Sequence, residues 1–278
     1  MIDLFDTHCH THEMVRRITP VYDKWREDAA KLAAAGLERT PETVIAAAHE
    51  AGVSRMLCIG TSLEDSRLAI EFVAEREGMW ASIGIHPHEA GVALREGHLD
   101  AFRGLVGGSK VLAVGECGLD YFYDHSPREA QITVLKAQIE LALEHNLPLS
   151  FHVREAFDDF WPLFDSYRGA GLRGVLHSYT DSLANLEHAV KRGLYFGVNG
   201  IATFAKRDEQ LAMYRAIPVE SLMLETDAPF LTPEPFRGTV CESKHVRVTA
   251  KYMAGLRDTR LEDLAAMTTA NARTLFKV

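Results

Sequence analysis

The chain of 278 residues has few cysteines, no surplus of positive charge and no long apolar run. Cys9, Cys58, Cys117 and Cys241 are too scattered to staple a chain of this size, and none stands in a C-x-x-C pattern for thiolate zinc. They read as free thiols of a reducing compartment, so the expected location is cytoplasmic. No apolar stretch approaches the roughly 18–20 residues of a membrane span. The opening "MIDLFDTH" lacks the basic and apolar regions of a signal peptide. A formal charge of −9 argues against an extended polyanion-binding surface. It leaves a polyanionic substrate open, because bound divalent cations and a few arginines reverse the field locally. No linker, repeat or low-complexity tract divides the chain. A single domain over residues 1–278 is expected, with 47% hydrophobic residues to build its core.

What the sequence does have is alternation. Apolar runs of strand length, "IDLF", "RMLCIG", "WASIGI", "KVLAVG", "LPLSF", "GVL", "LYFGV" and "SLMLE", are separated by helical stretches. Near-continuous apolar strands are the mark of parallel sheets covered on both faces. Eight such units predict an α/β fold, a (β/α)8 TIM barrel; an open doubly wound sheet is the alternative, weakened because no G-x-G-x-x-G follows the first strand. Thr40-Pro41 and Gly52 punctuate one helix. "SPRE" at 126–129 reads as a capping box, with Ser126 as the cap, for a helix that buries Ile132, Leu135, Ile139 and Ala142. "TRLE" at 259–262 repeats the pattern before a helix burying Leu261, Leu264, Thr268 and Leu275. The stretch at about 11–40 is too long for an ordinary βα connection and reads as an extended first loop, either a lid or a surface excursion.

Metal-binding residue types recur at the ends of the apolar runs. His8 and His10 follow the first, His86 and His88 the third, Glu116 and Asp120 the fourth, His152 the fifth, His177 the sixth, Asn199 the seventh and Asp227 the eighth. In a parallel barrel these ends share the face where active sites are built. Imidazoles with carboxylates suit zinc, manganese or iron, and a carboxylate-rich half suits magnesium. Four histidines, one glutamate and one aspartate suffice for two ions about 3.5–4 Å apart if Glu116 bridges, an arrangement able to clamp both oxygens of a phosphodiester displacement. His86 reads either as a loop histidine or as a contact to substrate. Arg128 reads either as a helix-surface residue or as a phosphate clamp at a helix N-terminus. Cys9 and Cys117 read as packing residues, and His12, at the start of the long first loop, has no matched role in the pattern.

In this order "FDTHCH", "GIHPH", "VGECGLDY", "FHVR", "LHSYTDS", "LETDAPFL" and "TTANARTLF" resemble the TatD-like metal-dependent hydrolases, a branch of the amidohydrolase-type barrels. The resemblance runs almost end to end. It implies His8, His10, Glu116, His152, His177 and Asp227 as metal ligands, with Glu116 as the bridge and Asp227 beside the attacking water. It places His86, Asp120, Tyr121, Arg128 and Arg237 nearer the substrate. Two divalent ions, from among zinc, manganese, magnesium, iron and nickel, are the implied cofactors. The implied activity is deoxyribonuclease, removing nucleotides from 3′ ends of single-stranded DNA, with no membrane or obligate protein partner. The rival readings are a binuclear hydrolase of an ester, amide or lactone, such as an aminoacyl ester on tRNA, and a non-enzymatic metal-binding scaffold. Two departures stand out. His12 begins the long first loop where the family continues more briefly, and "PFRGTVCESKHV" carries Cys241 and Ser243 where asparagine and proline are usual.

Overall fold

The computed structural model describes residues 2–15, 39–123 and 125–278. Each predicted apolar run becomes a strand: β1 Leu4–Cys9, β2 Val53–Ile59, β3 Met79–Ile83, β4 Val111–Asp120, β5 Leu149–Arg154, β6 Gly174–Leu176, β7 Tyr195–Val198 and β8 Leu222–Leu224. They belong to one eight-stranded sheet in chain order, parallel in the pairs β1–β2 and β3 through β7. Helices alternate with them, giving the (β/α)8 TIM-barrel class expected from the apolar pattern. Among the described residues no helix is long and apolar enough to cross a membrane. All four cysteines are buried free thiols.

Backbone proximity divides the chain into two compact units, Met1–Cys58 with Gly197–Ala272, and Ile59–Phe196 with Arg273–Val278. In the first, all six residues of β1 are buried, and Leu4 and Cys9 register with Val53 and Cys58 of β2. The helix Pro41–Glu50 starts where predicted, with Thr40 accepting the Thr43 N–H and Thr43 returning a bond to the cap. Gly52 follows with φ 84°, as a helix stop requires. Of the extended loop expected at 11–40, Thr11–Val15 forms a 3₁₀ turn; residues 16–38 lie outside the described residues. The helix Leu261–Phe276 buries Leu264, Thr268 and Leu275 as anticipated, while Leu261 is half-exposed.

In the second unit β4 is the longest strand, bonded to β3 on one side and β5 on the other. The helix Arg128–Glu144 buries Leu135, Ile139 and Ala142, with Ile132 half-buried. Its start corrects the sequence reading, because Pro127 is the cap and Ser126 makes no capping bond. Ser126 Oγ instead donates to the His88 carbonyl and accepts the Gly91 N–H, so two tertiary partners displace a local one. Two glutamines on the helix, Gln131 and Gln138, are also buried, against the usual surface preference of the residue. Gln138 accepts the Ile85 N–H and donates to the Ile85 carbonyl; Gln131 does the same to Asp120 and also donates to the Ser126 carbonyl. These amides pin the backbone beyond β3 and at the end of β4.

Candidate functional site

Within the first unit, alternation along β1 sends His8 and His10 to the same side and Cys9 to the other. Both rings are buried, and both Nε2 atoms approach Asp227 Oδ1, at 3.6 Å from His8 and 3.3 Å from His10. Asp227 is held by its own backbone. Its N–H donates to the His8 carbonyl, the Ala228 carbonyl accepts the His10 N–H, and φ is 60°. Asp6 anchors the residue before it. Asp6 Oδ1 accepts the Thr226 N–H at 2.9 Å and Oδ2 accepts the Thr226 hydroxyl at 2.6 Å. That hydroxyl in turn accepts the Ala228 N–H, so the chain is fixed on both sides of Asp227. Burial pushes the Asp6 carboxyl up, opposed by the bonds from Thr226. His12 is buried in the 3₁₀ turn, its ring 6.0 Å from that of His10. The departing residues of the 235–246 segment lie inside the protein. Cys241 is buried with its N–H on the Pro229 carbonyl, and Ser243 is buried with its hydroxyl 3.4 Å from that of Thr11. Arg237 is exposed, its guanidinium 4.0 Å from the Phe204 ring centre.

Within the second unit, Glu116 Oε1 is the point on which three imidazoles converge. It lies 2.9 Å from His152 Nδ1 and 3.6 Å from both His86 Nε2 and His177 Nε2. Glu116 and His152 sit inside β4 and β5 rather than after them, and His177 directly follows β6. Gly118 lies opposite His152 in the β4–β5 register, and a side chain there would meet the His152 carbonyl oxygen at 1.8 Å. His86 caps a short 3₁₀ turn, its Nδ1 accepting the His88 N–H. In the neutral ring the proton is therefore on Nε2, directed at Glu116. Burial pushes this imidazole down to about 3, against the opposing charge of Glu116, so it is neutral near pH 7.

Asp120, expected near substrate, is fully buried and serves the cluster from behind. Oδ2 is 2.8 Å from His152 Nε2 and 3.1 Å from His88 Nε2, while Oδ1 accepts the N–H groups of Phe122 and Tyr123. Burial pushes its carboxyl up, but the bonds to His152, His88 and the Tyr123 backbone outweigh this and hold it well below the usual carboxylate range. For His152, burial lowers the pKa and the bonds to Asp120 and Glu116 raise it, with a net rise. A carboxylate on one imidazole nitrogen fixes the ring and leaves the other for a metal. Tyr121 donates its hydroxyl to Asp159 and lies under Arg128, whose guanidinium is 4.0 Å from the ring centre. Asn199 caps a 3₁₀ turn by accepting the Ile201 N–H, and its amide donates to Glu225. The residues that chain order left unassigned are Asp6, His88 and Gln131. For Asp6, the one available signal was its place two residues before His8.

Among the described residues, each of the two units has a donor set of its own that could hold a cation. The candidate ligand atoms of His8, His10 and Asp227 lie within 4.8 Å of one another, as do those of His86, Glu116 and His152. Both combine imidazole nitrogen with carboxylate oxygen, donors suited to a borderline divalent ion. The chemistry of the residues present therefore fits the divalent metal that the motifs imply.

Comparison with known proteins gives this donor chemistry a context. The chain is 35% identical over 237 residues, 85% of its length and 92% of the relative's, to the uncharacterized metal-dependent hydrolase YabD of Bacillus subtilis. It is 37% identical over 243 residues to the 3′-5′ ssDNA/RNA exonuclease TatD of Cronobacter sakazakii, covering 84% and 91% of the two chains. Among solved structures, the TatD homologue YJJV from Escherichia coli matches with a TM-score of 0.78 and 26% identity, over 99% of this chain and 98% of that one. A TatD-family hydrolase from Entamoeba histolytica, 21% identical and covering 99% of both chains, shares the fold with a TM-score of 0.86. The family model of TatD-related DNases matches residues 5–277, and the chain belongs to that family of metal-dependent hydrolases.

Proposed function

We propose that the protein hydrolyses phosphodiester bonds with two divalent cations, as a cytoplasmic 3′–5′ exonuclease on single-stranded DNA. His8, His10 and Asp227 would hold one cation, and Glu116, His152 and His177 would hold the other. The observation that carries this reading is the convergence of His86, His152 and His177 on one oxygen of Glu116, matched by that of His8 and His10 on one oxygen of Asp227. The relatives named as single-stranded DNA and RNA exonucleases support the choice of bond. Bound divalent ions lower the pKa of water and draw charge from a phosphate oxygen. The chain's own groups do the rest. Asp227, 15% exposed at its side chain, would take the proton of the attacking water. His86 offers its Nε2–H to the phosphate or to the departing 3′ oxygen, a donor that burial keeps neutral. Asp120 holds His152 in one orientation. Arg128 and Arg237 supply cations against the overall charge of −9.

The test is chelation and recovery on a 3′-labelled single strand. Treatment with EDTA abolishes release of nucleotides, and Mn²⁺, Mg²⁺ or Zn²⁺ restores it. Glu116→Ala loses both activity and bound metal. Full activity in chelator would overturn the metal mechanism. Turnover of aminoacyl-tRNA or simple esters, with DNA untouched, would move the reading to a carbonyl substrate.

A further inference from the structure

We infer that Phe122 and Tyr123, together with Arg154, form a stacking platform for an unpaired nucleobase of the substrate strand, an assignment that rests on the nuclease reading above. Three consecutive aromatics, Tyr121, Phe122 and Tyr123, follow β4. Phe122 is 50% exposed and Tyr123 49%, so two adjacent large rings face solvent. Their backbone is fixed: the N–H groups of both residues donate to Asp120 Oδ1 at 3.0 Å, and the Tyr121 N–H donates to the Arg154 carbonyl. The rings are set at 90° to each other, centres 4.8 Å apart. Arg154, from the end of β5, lies 4.0 Å from the Phe122 ring centre and 4.8 Å from that of Tyr123.

The occupant follows from the chemistry. A guanidinium beside exposed aromatic rings offers a π surface and a cation together, and each nucleotide of a single strand presents a base and a phosphate to meet them. A small ester or a lactone would use neither. The platform also flanks the Glu116 cluster. The Tyr123 ring is 5.5 Å from His88, His88 is 4.3 Å from His86, and His86 reaches Glu116 at 3.6 Å. A base seated on the platform thus places its own nucleotide beside the groups proposed to act on the phosphate. Stacking is tolerant of base identity, so the expected preference is for unpaired strands over duplex, with little sequence choice.

The experiment compares the holoenzyme with Phe122→Ala/Tyr123→Ala on single strands that carry normal or abasic nucleotides at the 3′ end. Truncation beyond Cβ leaves the N–H bonds to Asp120 in place. Wild type is expected to show a KM roughly tenfold lower for the base-bearing strand. The double variant raises that KM to the abasic value with metal content and kcat retained, and Phe122→Trp/Tyr123→Trp keeps the discrimination. Equal KM values for the two strands in wild type, or discrimination surviving in the double variant, would overturn the platform while leaving the nuclease intact. Should wild type hydrolyse no DNA, the nuclease reading fails, and a 2-aminopurine strand then decides the platform. Its fluorescence is quenched on binding to wild type and not to the double variant if the platform stands, and no quenching by wild type overturns it.

Discussion

Asp6 and Asp120 are both fully buried carboxylates, and each acts through a neighbour. Asp6 accepts two bonds from Thr226, and so fixes the turn that carries Asp227. Asp120 fixes the Nε2 face of His152. Replacing an outer partner of a metal ligand typically lowers metal affinity about 10–100-fold. Asp6→Asn and Asp120→Asn are therefore expected to lose metal to a competing chelator at least tenfold more readily than wild type. Chelator-competition titrations beside thermal melts check both; variants that melt early but hold metal at wild-type affinity would assign these carboxylates to the fold alone.

At the level of the elements, β4 and β5 come close enough that one position admits no side chain. Gly118, with φ 152°, would drive a Cβ into the His152 carbonyl oxygen. Gly118→Ala should destabilise the protein by at least roughly 1–3 kcal/mol through backbone strain alone, and should reduce metal content by moving His152. Gly107→Ala, whose added Cβ meets nothing within 4 Å, is the control and should match wild type in denaturant midpoint and metal content. The eight strands were legible beforehand because strands covered on both faces must be apolar throughout, and the helix at Thr40-Pro41 because its cap bonds are local. Ser126 was misread for the converse reason: the His88 carbonyl and the Gly91 N–H, distant in sequence, compete for the hydroxyl that a local rule assigns to the helix. Gln131 and Gln138 carry no signal in the sequence, because nothing in a helical pattern announces the backbone groups they meet. Chain order locates Asp120 at a strand end and the family resemblance puts it near substrate, but its burial behind His152 is set by packing that neither announces.

For the molecule as a whole, acid sensitivity has a nameable contributor in His245. It is buried, stacked on Phe236 at 5.2 Å, and its Nδ1 accepts the Glu242 N–H. Burial pushes its pKa from 6.5 down to about 4, with Glu242 opposing and Lys244 and Arg39 adding to the fall. As pH drops below 6.5 the unfolded chain takes up a proton at this ring before the folded one does. Its contribution is complete above that pH and is lost progressively towards pH 4. His245→Gln, which keeps an acceptor but cannot titrate, should flatten the fall in urea midpoint between pH 6.5 and pH 4, and an unchanged slope would remove the residue from the account. The burial of all four thiols has a practical corollary at the same scale. A maleimide dye finds no reactive sulfur on the native surface, so one cysteine introduced beside Phe122 becomes a unique attachment point for a fluorophore. The native thiols then respond only when the fold opens, which makes the rate of their modification a clock for unfolding.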